Sequence, residues 1–279
     1  MRGIALTRMR LALATALVSG AASAGLIAIS ESAEADGAKG LLPDLVTLAP
    51  DGSDLVVIKE RGRRLLRMTT EFANRGEGPL EIFPSAESGN CDGDGNPDND
   101  RDASQRTFAD TDGDGGFSAG VDGILTERRV GCMRYHAVHD HWHVLDFARY
   151  ELRREPRGRL VAKRRKVGFC VGDNRRAFPK DPRTPPKGVY PFGPPGSIGC
   201  DAMATQGVSI GWTDLYLYWV PGQELRVGGL PRGRYCLVML ADPRDLIDER
   251  NEDNNVRRTP IMLDPKRLTV NRLRGKCRT

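Results

Sequence analysis

All four histidines of the 279-residue chain fall within residues 136–143, in the run Tyr135-His136-Ala137-Val138-His139-Asp140-His141-Trp142-His143. His139, His141 and His143 stand at i, i+2 and i+4, the repeat that places side chains on one face of an extended strand. The spacing predicts a strand with three imidazoles on one side and Val138 and Trp142 packed into a core on the other. His136 lies an odd number of residues away, so a regular strand would turn it to the opposite face. Neutral imidazole is a common ligand for copper and zinc. With no histidine elsewhere, the cluster reads as a metal site; the bland alternative is a solvated polar strand face.

The remaining pattern favours β structure. The chain has 32 glycines and 18 prolines, with short alternating apolar runs between turn signals. These features point to a mainly β, antiparallel, β-sandwich-like domain with long loops and little helix. Strands are expected over residues 65–74, ending in the turn Asn74-Arg75-Gly76-Glu77-Gly78, over 79–83, and through the histidines to 152. Further strands are expected over 163–170, 212–220, 234–240 and 258–263. Residues 173–199 are Pro-rich and read as a long loop.

The first 35 residues read as an export signal and linker. Arg2, Arg8 and Arg10 make a basic start, residues 11–18 an apolar centre, and Ala22-Ser23-Ala24 or Ala33-Glu34-Ala35 a cleavage site. A competing reading takes residues 11–30 as an uncleaved anchor, but their many Ala, Ser and Gly make that membrane anchor unfavourable. Both readings put the folded part outside the cytoplasm, secreted or attached to the cell envelope. Six cysteines agree with an oxidising compartment, and no CxxC pair suggests zinc. Sequence leaves the pairing open; neighbourhood favours Cys91 with Cys132, Cys170 with Cys200, and Cys236 with Cys277.

The net charge of +5 averages unlike parts. Residues 91–122 carry nine Asp against two Arg, a net −7, so the rest of the chain carries +12. The basic residues lack aromatic interleaving, which excludes a nucleic-acid surface of the usual kind. The acidic stretch lies in a segment, 84–131, that reads as an Asp-rich insertion. Within it, Asp110-Thr111-Asp112-Gly113-Asp114-Gly115 matches the opening half of a calcium loop, with oxygen ligands at alternate residues and glycine at the sixth position. The twelfth position holds Val121, with Asp122 one place late. The segment is therefore either a calcium-holding loop or merely an acidic insertion.

Read as a whole, the histidine stretch with Val144-Leu145-Asp146 resembles the copper motif of the lysyl oxidase family, His-x-x-His-x-His-x-His-x-x-Asp. That resemblance implies Cu2+ bound by His139, His141 and His143, with His136 present behind the ligands rather than among them. Lys166-Val167-Gly168-Phe169-Cys170 is similar to the family's Lys-x-x-Phe-Cys. Gln206-Gly207-Val208-Ser209, followed by Asp214-Leu215-Tyr216, is similar to the segment whose tyrosine is oxidised. The implied cofactor is a lysine tyrosylquinone made by cross-linking Lys166 to Tyr216.

The implied activity is oxidative deamination of primary amines, peptidyl lysine or smaller, to aldehydes. O2 is the acceptor, and hydrogen peroxide and ammonia are released. Such chemistry needs a carboxylate base, for which Asp146 and Asp214 are the candidates. The resemblance further implies a structural Ca2+ held by Asp44, the Leu45 carbonyl, Glu249, Asn251, Asn254 and Asn255, all oxygen donors. It covers residues 41–279, the expected catalytic domain. Val138 stands where the family usually has a cysteine. Taken alone, Tyr216 would be an ordinary strand aromatic and Lys166 a surface lysine. Two readings from other classes compete: a secreted β-sandwich metal- or calcium-binding module without catalysis, and a zinc hydrolase using the same histidines.

Overall fold

Core-facing side chains at alternate positions set the register of the strand Ala148–Arg154. In the strand Ala148–Arg154, Ala148, Tyr150 and Leu152 are buried. On the other face Glu151 accepts ion pairs from Arg149 and Arg153 at 3.0 and 2.7 Å. A one-residue slip would exchange those two sets, so the register is fixed by burial. The computed structural model describes residues 39–86, 90–93, 95, 99–138, 140–166, 170–190 and 205–278, with 165 and 166 by backbone only. All lie in one unit, Gly37–Thr279.

Four antiparallel sheets form, and helix is limited to the three-residue turns Gly52–Asp54 and Glu252–Asn254 among the described residues. One sheet orders Gln206–Val208, Leu80–Pro84, Asp100–Ala109, Ile124–His136 and His141–Val144, with Gly40–Leu41 added beside Asp100–Ala109. A second orders Arg159–Lys166, Ala148–Arg154, Gly233–Ala241, Val256–Asp264 and Thr269–Arg272. The third orders Arg175–Arg176, Trp212–Tyr216, Thr70–Asn74 and Leu45–Thr47, and the fourth Glu224–Arg226, Arg63–Met68 and Leu55–Glu60. One apolar cluster joins all four, including Phe72, Met68, Met133, Tyr150, Leu237 and Ile261. Phe72 meets Phe147 edge-on at 5.6 Å in that core. The mainly β expectation holds.

Several boundaries differ from the sequence reading. Residues 65–74 are two strands in two sheets, because the Thr69 amide leaves the ladder to donate to the Asp54 carbonyl at 3.0 Å. The strand expected through residue 152 breaks after Val144, where Asp146 takes a positive φ of 57°. The strand expected over 212–220 stops at Tyr216, and residues 217–222 turn, with Val220 N–H donating to the Leu217 carbonyl. The stretch 84–131 holds the strand Asp100–Ala109 and the first half of Ile124–His136, paired to one another, with Ala103 and Phe108 buried.

Disulfides join Cys91 to Cys132 and Cys236 to Cys277, as neighbourhood suggested. Cys200, the expected partner of Cys170, lies outside the described residues, as does the segment expected to be an export signal. No helix among the described residues is long and apolar enough to cross a membrane.

Candidate metal and redox centre

His136, His141 and His143 sit on the two strands of a hairpin, not on one strand. Ile124–His136 pairs with His141–Val144 in a register that sets His136 opposite His141 and Arg134 opposite His143. Ala137, Val138 and Asp140 are turn residues, and the Asp140 amide donates to the His136 carbonyl at 2.8 Å, with Asp140 at φ 58°. Directly opposed residues of an antiparallel pair share a face, and His143 shares it with His141 two positions on. His136 therefore joins the cluster it was expected to oppose. Its ring stacks on His143 at 4.9 Å, and His141 lies 4.9 Å from His143. His141 and His143 are buried.

His139 lies outside the described residues. Val138, expected in the core, is at the turn and 87% exposed. Trp142 does face the other way, packing on the core and meeting Tyr135 edge-on at 5.5 Å. Arg101 covers its ring.

Tyr216 ends the strand Trp212–Tyr216, opposite Thr70, with Asp214 opposite Phe72. The phenol is buried and donates its hydrogen bond to the Cys170 carbonyl, with the Cys170 sulfur 3.8 Å away. Burial, then the nearby Asp214 and Tyr150, push its pKa well above the ordinary value of 10.0. Tyr216 is thus held as a neutral phenol. Asp214 is buried two residues away, and its carboxylate accepts from the Gly172 amide at 3.4 Å.

Asp146, the other candidate base, lies in the turn after the hairpin and pairs with Arg244 at 3.6 Å. Lys166 closes the strand Arg159–Lys166 with its backbone opposite Ala148. Three residues separate it from Cys170, so four Cα–Cα steps keep the two Cα atoms at most about 14 Å apart.

The hairpin and the tyrosine segment are tied by a residue that the sequence offered only as a motif position. Gln206 is buried; its side-chain carbonyl accepts from the Val171 amide at 2.9 Å, and its NH2 donates to the Trp142 carbonyl at 2.5 Å. Gly207 makes that seat possible. A Cβ there would lie 2.0 Å from the Leu80 carbonyl oxygen and 3.0 Å from the Tyr190 ring. Beside it, buried Asp173 accepts from the Ser209 amide and hydroxyl and the Tyr190 amide at 2.8, 2.6 and 3.1 Å. Burial raises the Asp173 pKa, against the lowering effect of those bonds.

A family model described as lysyl oxidase matches residues 119–273, more than half of the chain. The chain belongs to the lysyl oxidase family. Human lysyl oxidase homolog 1 is 27% identical over 143 residues, 51% of this chain and 22% of that protein. Human lysyl oxidase homolog 3 is 25% identical over 137 residues, covering 49% and 16%. The Danio rerio lysyl oxidase homolog 3B is 26% identical over 137 residues, covering 49% and 15%. The chain thus spans about a fifth of the length of the curated relatives it matches. The lysyl oxidase match includes all four histidines, Lys166 and Tyr216, and ends before neither Asp248 nor Asn255; it begins after Asp44 and Leu45.

Of the six residues expected around a structural cation in this lysyl oxidase relative, five come together. Asp44 accepts from the Asn254 side chain at 2.6 Å, and Glu249 from the Asn255 side chain at 2.9 Å. The Leu45 amide donates to Glu249. Leu45 thus enters through its N–H, whereas its carbonyl was the expected donor. Asn251 turns away: it is exposed, and its side-chain oxygen accepts from the Asp253 amide at 3.1 Å.

Two carboxylates the sequence reading missed complete the group, Asp242 and Glu252. Their oxygens and one of Glu249 lie within 4.8 Å of one another. The side-chain oxygens of Asn254 and Asn255 are buried without a hydrogen-bond partner, which suits a hard cation. Burial pushes Glu249 up to about 8. In the acidic loop, Asp110, Asp112 and Asp122 also converge within 4.8 Å. Asp122 accepts from the Thr111 and Ser118 amides at 2.8 and 2.7 Å, so the residue one place late is the one that closes the loop.

Proposed function

We propose that this member of the lysyl oxidase family is a secreted, copper-dependent amine oxidase acting on primary amines, peptidyl lysine or smaller, with O2 as acceptor. The donor set fits copper: borderline-soft imidazoles share one face of a hairpin, and two of them are buried. His139, His141 and His143 would hold Cu2+, and His136, stacked on His143, would orient that ring. Copper supplies one-electron and O2 chemistry, and a quinone made from Lys166 and Tyr216 would supply the carbonyl that reacts with the amine.

The observation that carries this reading is the connected path from the phenol to the hairpin. The Tyr216 hydroxyl bonds the Cys170 carbonyl, the next amide, Val171, bonds Gln206, and Gln206 bonds the carbonyl between His141 and His143. Burial favours the protonated phenol, so forming the phenolate would need a base to take the proton. Asp214, buried on the same strand as Tyr216, is the better placed of the two candidate bases; Asp146 pairs with Arg244 at 3.6 Å in the turn after the hairpin. Ca2+ would be structural, at Asp44, Glu249, Asn254 and Asn255 with Asp242 and Glu252. The two disulfides fit an oxidising compartment.

The test is the mass of the Tyr216 peptide after copper loading and proteolysis. A covalent link to the Lys166 peptide, absent in Lys166→Arg and Tyr216→Phe proteins, with peroxide formed from amines, supports the oxidase. Copper-loaded protein with two separate peptides and no peroxide leaves a metal-binding module. Hydrolysis that requires zinc points to a hydrolase.

A further inference from the structure

We infer that Gln206 is a positioning residue that sets the orientation and distance of the phenol-bearing segment relative to the histidine hairpin. The inference rests on the copper oxidase reading above and names a residue that reading does not need as ligand, base or cofactor precursor. Its side chain is 1% exposed and both ends of the amide are used. One end accepts from Val171, whose carbonyl in turn takes the Gly207 amide at 3.1 Å, so Val171 is gripped from both sides. The preceding residue, Cys170, receives the Tyr216 phenol. The other end donates to the carbonyl of Trp142, the peptide between His141 and His143.

A neutral amide provides a donor and an acceptor at every pH, whereas a carboxyl does so only while protonated. A carboxylate keeps the bond to Val171 but sets an anion against the Trp142 carbonyl, and a thioether of similar length makes neither bond. The Trp142 peptide plane dictates how two imidazoles project. Groups behind metal ligands that fix their bearing typically change affinity or rate by about tenfold to a hundredfold when removed.

Two variants separate positioning from packing. Gln206→Met keeps the volume and loses both bonds; Gln206→Glu, measured above the pKa of its new carboxyl, keeps the Val171 bond and loses the donor. The apo proteins are loaded with Cu(II) and followed by copper electron paramagnetic resonance and by the rate at which the joined Lys166–Tyr216 peptide accumulates. The expected result for both is a folded protein that binds copper with an altered spectrum and joins the peptides about tenfold or more slowly. Should Gln206→Met fail to fold, the Glu variant carries both readings. A wild-type spectrum with a wild-type joining rate in either folded variant overturns the inference. If the wild-type chain never joins the two peptides, the oxidase reading falls by itself. The spectrum then decides this inference: altered supports it, unaltered overturns it.

Discussion

The imidazoles of His136 and His143 lie 4.9 Å apart and within 21° of parallel. If His143 is a copper ligand and His136 is not, the stacked ring restricts the ligand's rotation without donating to the metal, and the two histidines differ in what their removal does. His136→Ala is expected to weaken copper binding about tenfold to a hundredfold, the range for groups that orient a ligand. His143→Ala should lose more, because a donor itself is gone. Calorimetric titration with Cu(II) checks this; equal losses would make His136 a ligand.

The Glu249 carboxyl gives a pH dependence with a definite sign. Its ordinary value is 4.5 and burial lifts it to about 8 in the folded protein. The folded state therefore binds the proton more tightly than the unfolded chain. The stability this group contributes is complete below about pH 4.5 and is lost as pH rises towards 8. Cation-free protein should lose melting temperature across that window. Calcium at about a hundred times its Kd should restore about 2.7 kcal/mol, or about 5–10 °C, and flatten the slope. Calorimetry with calcium and with a chelator at pH 5 and 8 reads both, and a slope unaffected by calcium excludes Glu249 as a ligand.

Gly207 allows the strand Gln206–Val208 to lie against Leu80–Pro84. The Gly207→Ala Cβ meets a backbone carbonyl at 2.0 Å, and backbone cannot step aside as a side-chain tip can. We expect a loss of about 1–3 kcal/mol in denaturant unfolding, together with weaker copper binding because Gln206 moves with its neighbour. An unchanged midpoint would contradict the tight approach.

Tyr216→Phe removes the bond to the Cys170 carbonyl while keeping the ring. An unsatisfied buried acceptor costs about 1–3 kcal/mol, so the variant should unfold earlier yet still bind copper, and no peptide joined to Lys166 should appear in its digest. Loss of copper binding instead would make the phenol part of the metal site.

Strands carried by apolar runs were legible in the sequence: Gly233–Ala241 and Val256–Asp264 lie within a residue or two of their expected bounds. The hairpin was not, because Ala137-Val138-His139-Asp140 contains neither Gly nor Pro and the even spacing of the histidines imitates a strand. The turn is bought by Asp140 at positive φ, a conformation that aspartate tolerates better than most residues. Asp146 hides the next break in the same way. Gln206 was visible only as part of a motif; what it bonds depends on three segments far apart in the chain. Asp242 carries no local mark because the fold brings it to Glu249, whereas Glu252 stands three residues from Glu249 in the same acidic segment.

The bond between Cys91 and Cys132 closes 41 residues and anchors an acidic run to the strand that ends in His136. By chain entropy alone such a closure removes about 4 kcal/mol of freedom from the unfolded chain. Material made in a reducing host would lack that restraint, and any titration on it would report on a looser molecule. The way the protein is produced therefore belongs to the design of every measurement on its histidines.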